Sequence, residues 1–81
     1  AINNEFKPVV PMMAVRDYRL TIYDRWGQLV FESNELGTGW NGEINNEPAP
    51  VGVYAWRIDY NTVNEDGTKP VNASGTVMLL R

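Results

Sequence analysis

Apolar and polar residues alternate in two stretches of this chain. Tyr18, Leu20 and Ile22 are large and apolar, and Arg19, Thr21 and Tyr23 fall between them. A period of two sends one set toward a core and the other toward solvent, the pattern of a half-buried strand. Asp24-Arg25-Trp26-Gly27 follows, with Asp and Gly at the first and last positions of a type I turn. Glycine tolerates the positive φ that continues such a turn into a bulged hairpin. Gln28–Ser33 is the predicted return strand, with Leu29 and Phe31 on one face and Val30 on the other. The second alternation runs over Val53–Asn61, where Tyr54, Trp56, Ile58 and Tyr60 share a face. Those side chains are assigned to the core, because each contributes about 1.5–3 kcal/mol when fully buried.

Weaker patterns fill the remainder. Residues 1–17 hold one short predicted strand around Glu5–Val10, which Pro8 and Pro11 confine to a sheet edge. Met12-Met13 reads as a core filler or a loop. Residues 34–50 are rich in Asn, Gly, Glu and Pro, so they read as loops around one short strand near Glu43–Asn45. Pro48 and Pro50 predict an extended, unpaired approach to the long strand. Asn64-Glu65-Asp66-Gly67 is a turn, and Ala73–Leu80 is the closing strand. No apolar spacing of three and four residues is sustained, so helices are not expected. The expected fold is all-β, an antiparallel immunoglobulin-like β-sandwich of about six to seven strands. With no repeat or linker, the 81 residues read as one domain near the lower size limit for a self-sufficient core.

Composition narrows the function. Hydrophobic residues make up 43% of the chain and aromatics 11%, values of a globular protein rather than a disordered one. Neither cysteine nor histidine occurs, which removes disulfides, thiolate metal sites and the commonest general base. The net charge is −3, and the basic residues Lys7, Arg16, Arg19, Arg25, Arg57, Lys69 and Arg81 are scattered singly. Phosphate backbones are bound by clustered cations, so no nucleic-acid partner is expected. No apolar run approaches the roughly 20 residues that cross a bilayer as a helix. The carboxylates Asp24, Glu32, Glu35, Glu43, Glu47, Asp59, Glu65 and Asp66 include no pair marked for acid–base work. Neither an enzyme nor a cofactor is therefore expected. Asn64–Gly67 lacks the further ligands of a calcium loop and reads as a solvated turn. Asn72-Ala73-Ser74 fits a glycosylation acceptor pattern that is frequent by chance.

The tryptophans leave a choice open. Trp56 lies mid-strand on the predicted core face, Trp40 sits between Gly39 and Asn41-Gly42 as a lid over the sandwich end, and Trp26 occupies a tight turn. Exposed aromatic platforms stack on sugar rings, so a carbohydrate- or surface-binding module of an adhesin is the alternative reading.

Four segments taken together carry a resemblance. Tyr-Arg-Leu-Thr-Ile-Tyr-Asp-Arg-Trp-Gly-Gln-Leu-Val-Phe-Glu-Ser (18–33), Gly-Trp-Asn-Gly (39–42), the Pro-rich approach to Gly-Val-Tyr (48–54) and Gly-Thr-Val-Met-Leu-Leu-Arg (75–81) occur in that order. The chain resembles the gliding-motility-associated C-terminal domains of Bacteroidetes, the type B sorting domains of the type IX secretion system. The Trp-Asn-Gly and Gly-Val-Tyr blocks recur in other bacterial immunoglobulin-like domains. The Arg-Trp-Gly hairpin combined with the closing block is the selective part. Members of that family begin with an acidic, glycine-rich segment before the position of Phe6. The chain is thus expected to be a C-terminal sorting domain without its first segment.

The resemblance implies a secreted or cell-surface destination for a large cargo. It also implies recognition by the type IX translocon and a PorP/SprF-type outer-membrane protein. The partner-binding residues expected on that basis are Arg25, Trp26 and Gly27 at the hairpin tip and Thr76, Val77, Met78, Leu79, Leu80 and Arg81 in the closing strand. An edge strand offers unpaired backbone groups to which a partner can add a strand.

Overall fold

The computed structural model describes residues 6–8, 15–65 and 67–80. Its strands are β1 (Val15–Tyr23), β2 (Leu29–Ser33), β3 (Glu43–Ile44), β4 (Glu47–Pro48), β5 (Gly52–Asn64) and β6 (Gly67–Leu79). Four form an antiparallel sheet in the order β2-β1-β5-β6, and β3 and β4 form a separate hairpin. One face of the sheet supplies Tyr18, Leu20, Ile22, Tyr54, Ile58, Tyr60 and Leu79 to the core. Trp40 and Ala49 come from the connection between β2 and β5 and pack onto that face, with Ile44 beside them. The architecture is all-β and compatible with an immunoglobulin-like sandwich, its second layer built from this connection.

The core faces of both predicted alternations are in place, but Thr21, on the phase expected to face solvent, is buried. Tyr18, Leu20 and Ile22 are buried, as are Tyr54, Ile58 and Tyr60, while Trp56 is half-buried against the core. The predicted turn forms as well. Gly27 N–H donates to the Asp24 carbonyl at 3.0 Å, and Gly27 has φ +82°. The Asp24 carboxylate accepts from Trp26 N–H at 2.8 Å and Gln28 N–H at 2.9 Å, which rigidifies the tip.

The faces of β2 differ from the expectation. Ile22 pairs with Phe31 but Tyr23 pairs with Leu29, so a bulge follows the turn and Val30 is the extra residue. Val30 and Phe31 therefore both pack against the core, and Leu29 is turned outward at 49% exposure. The single strand expected near Glu43–Asn45 is a hairpin, in which Glu43 pairs with Pro48 and Ile44 with Glu47. Its two-residue loop, Asn45-Asn46, has φ +54° and +68°, the mirror-image turn that short hairpins favour and asparagine tolerates. Pro48 is thus paired, on a two-stranded ladder where both strands are edges.

The long strands extend beyond their predicted limits. β1 begins at Val15 and contains a bulge between Arg16 and Arg19, where Asp17 takes φ +57° and accepts from the Asn61 side-chain amide at 2.9 Å. β6 begins at Gly67 and ends at Leu79, and Gly67 pairs with Asn64 across the predicted turn. Of the first predicted strand only residues 6–8 are described. There Phe6 forms an antiparallel bridge with Trp40. Pro11, Met12-Met13, Asp66 and Arg81 lie outside the described residues.

Candidate docking surface

Gly-Trp-Asn-Gly (39–42) organises the second layer. Trp40 is fully buried, and its Nε1 donates to the Glu43 carbonyl at 2.9 Å. Its ring meets Tyr54 edge-on, with centroids 4.8 Å apart. Phe6 N–H donates to the Trp40 carbonyl at 2.6 Å, and Trp40 N–H donates to the Phe6 carbonyl at 2.8 Å. Gly39 makes that close approach possible, since a Cβ there would stand 2.5 Å from the Phe6 oxygen. The Asn41 side chain accepts from Glu43 N–H at 3.0 Å and so shapes the entry into β3. The motif is architectural, and Trp40 offers no platform to a sugar.

The outward face of the main sheet has a polar centre and an apolar end. At its centre Arg19 pairs with Glu32, and Arg57 pairs with Asp59 at 3.1 Å. The hydrogen bonds that Arg57 donates to the Asp59 carboxylate raise its pKa further, followed by the carboxylate charge itself. Thr21 lies in register between Glu32 and Arg57 and is only 4% exposed. Toward the β1–β2 turn the polarity disappears. Val53 stands opposite Met78, and the two are 46% and 48% exposed. Ala55 stands opposite Thr76, and both are exposed.

The hairpin tip lies at this same end. Trp26 is 75% exposed, and the Arg25 guanidinium sits over its ring at 4.9 Å from the centroid. Beside it opens a groove of about 500 Å³ lined by Asp24, Arg25, Trp26, Ile44, residues 50–53 and Tyr54. Its far wall is held in place by the Tyr54 hydroxyl, which donates to the Pro50 carbonyl at 2.6 Å. Val53 both lines the groove and pairs with Met78, so it joins the tip to the closing strand.

The residues singled out from sequence therefore divide. Arg25, Trp26 and Gly27 are exposed at the tip, and Thr76, Met78 and Leu80 are exposed on or just beyond β6. Val77 is half-buried opposite Tyr54. Leu79 is placed differently from the expectation: it is 1% exposed and packs in the core, where the alternation of β6 sends it inward opposite Gly52. Val51, Val53 and Ile44 were not singled out, although they line the groove. A signal existed for Val51 and Val53, since both are apolar on the strand phase opposite to Tyr54 and Trp56.

β6 is an edge strand of 13 residues. Lys69 and Pro70 guard its first half, as natural edges are guarded. From Val71 to Leu80 there is neither a charge nor a proline. Among the described residues no group of acidic side chains could hold a metal ion, and no helix is long and apolar enough to cross a membrane.

No curated protein and no solved structure matches the chain. Residues 1–79 match the family model described as CHU_C type IX secretion signal domain. That span takes in the tip, the buried Trp40 layer and β6 through its last paired residue. The chain belongs to the CHU_C type IX secretion signal domain family, sorting modules recognised by the type IX machinery and exported to the cell surface or beyond.

Proposed function

We propose that this domain is read through one continuous surface, formed by the Arg25-Trp26-Gly27 tip and the outward residues Thr76, Met78 and Leu80. In this reading it delivers a large cargo to the cell surface by engaging the type IX translocon and a PorP/SprF-type outer-membrane protein. The observation that carries the proposal is the unguarded half of β6. Among the described residues it is an open sheet edge whose outward side chains, Thr76 and Met78, are uncharged and exposed, next to an exposed aromatic tip. Backbone pairing along such an edge supplies affinity, and alternate side chains supply specificity. That half of β6 is therefore the part a partner strand would cover.

Deleting residues 75–81 cannot test this reading. Residues 75–79 pair with β5, and Leu79 fills the core, so deletion removes fold and surface together. The informative variants are Thr76→Lys and Met78→Lys, which change only outward positions. A reporter fused to the double variant should remain folded by circular dichroism and lose most of its export. Undiminished export would overturn the proposal.

A further inference from the structure

We infer that the groove beside the hairpin tip receives an apolar side chain of a partner polypeptide, with a neighbouring carboxylate of that partner held by Arg25. This rests on the reading of the tip as part of the docking surface, and it specifies the chemistry recognised there. Three observations carry it. The groove is concave and about 500 Å³ in volume, with walls from Trp26, Ile44, Pro50, Val51, Val53 and Tyr54. That is room for a leucine or phenylalanine side chain, and apolar concavities with few polar groups are the usual form of a binding pocket.

The second observation is electrostatic. Arg25 makes no ion pair among the described residues, whereas Arg19 and Arg57 are each paired. Asp24, the other charged lining residue, already accepts two backbone N–H groups of its own turn through Oδ1. The Arg25 guanidinium sits over the Trp26 ring without a carboxylate partner among the described residues, so its N–H donors can be taken up by a ligand carboxylate.

The third observation is continuity. Val53 belongs to the groove and stands opposite Met78 on β6, so an extended segment crossing the end of the sheet meets both. A sugar fits less well, because Arg25 already covers a face of the Trp26 ring.

The test uses the 81-residue chain labelled with nitrogen-15 and a capped peptide, acetyl-Thr-Glu-Phe-Thr-amide. Saturable chemical-shift changes are expected at the Trp26 indole and at the amides of Val51, Val53 and Ile44. Replacing the peptide's glutamate by glutamine, or Arg25 by glutamine in the chain, should weaken binding about two- to fivefold, the range of a single exposed ion pair. Combining the two changes should add nothing further. Absence of saturable shifts at the groove, equal affinity for the two peptides, or tighter binding of a neutral oligosaccharide would each overturn the inference. Failure here with loss of export in the β6 variants would leave the sorting surface standing and remove only its groove chemistry.

Discussion

The Trp56 indole lies across Gly75, its partner on the neighbouring strand. A Cβ built at Gly75 would stand 2.7 Å from Cζ2 and 2.9 Å from Nε1 of that ring. A glycine inside a strand is unfavourable on its own, but here its bare backbone is the surface on which an aromatic ring rests. Phe6 meets the same indole, with ring centroids 5.9 Å apart. One indole therefore ties the N-terminal bridge, β5 and β6 together. The glycine of the closing Gly-Thr-Val block has its physical reason in a contact with β5.

Gly75→Ala is accordingly expected to destabilise the domain. Forcing the ring aside costs about 1–3 kcal/mol, as for an overpacked core. Urea unfolding followed by circular dichroism measures it. In a Trp56→Leu background the ring is gone, so the same substitution should cost much less. Equal costs in the two backgrounds would show that the contact is not the cause.

Tyr18 gives a prediction of opposite sign. It is 5% exposed, and its hydroxyl has no hydrogen-bond partner among the described residues. Tyr18→Phe removes an unsatisfied buried oxygen while keeping the ring, so stability should be unchanged or higher by up to about 1 kcal/mol. Burial also pushes the Tyr18 phenol above its ordinary value. At pH below about 10 the phenol is neutral in both folded and unfolded chains and stability is intact. As pH rises past that value the unfolded chain ionises first, and stability falls. Urea unfolding at a series of alkaline pH values should show a shallower decline for Tyr18→Phe than for the parent chain.

Asp24 bears on how the tip is held. Its carboxylate accepts from Trp26 N–H and Gln28 N–H, so Asp24→Ala should loosen the turn at a cost of about 1–2 kcal/mol in thermal unfolding. Asp24→Asn keeps an acceptor and should recover much of it. In export assays Asp24→Ala should act as a weakened tip variant, with the defect reduced by Asp24→Asn.

What was legible in the sequence follows the range of the interactions concerned. The Tyr18–Tyr23 alternation and the Asp24–Gly27 turn are local, and both are present, except that Thr21 on the outward phase is buried. The bulge at Val30 was not legible, because it arises from how the turn hands β2 back to β1. The Asn45-Asn46 hairpin was hidden among loop-like residues, although two adjacent asparagines able to take positive φ were a signal for it. At the candidate site, exposure of the tip could be read from its turn. The burial of Leu79 could have been read from a period of two within the closing strand, which puts it on the same face as Val71 and Val77. The groove could not be read, because its walls come from the tip, β3 and the start of β5, which meet only in the folded chain.

The tryptophans allow the surface to be tested without any partner. Trp40 is fully buried, Trp56 is half-buried beneath Phe6 and over Gly75, and Trp26 is 75% exposed. Emission from the folded chain should therefore contain a red-shifted part quenched by acrylamide and a blue-shifted part protected from it. Trp26→Phe should remove most of the quenchable part with little change in stability, because an exposed side chain contributes little burial. Trp40→Phe should behave in the opposite way. Losing the Nε1 bond to the Glu43 carbonyl and part of a packed ring should cost about 2–4 kcal/mol, with the quenchable emission retained. If Trp26→Phe left quenching unchanged, the tip would not be the open aromatic surface that the docking proposal requires.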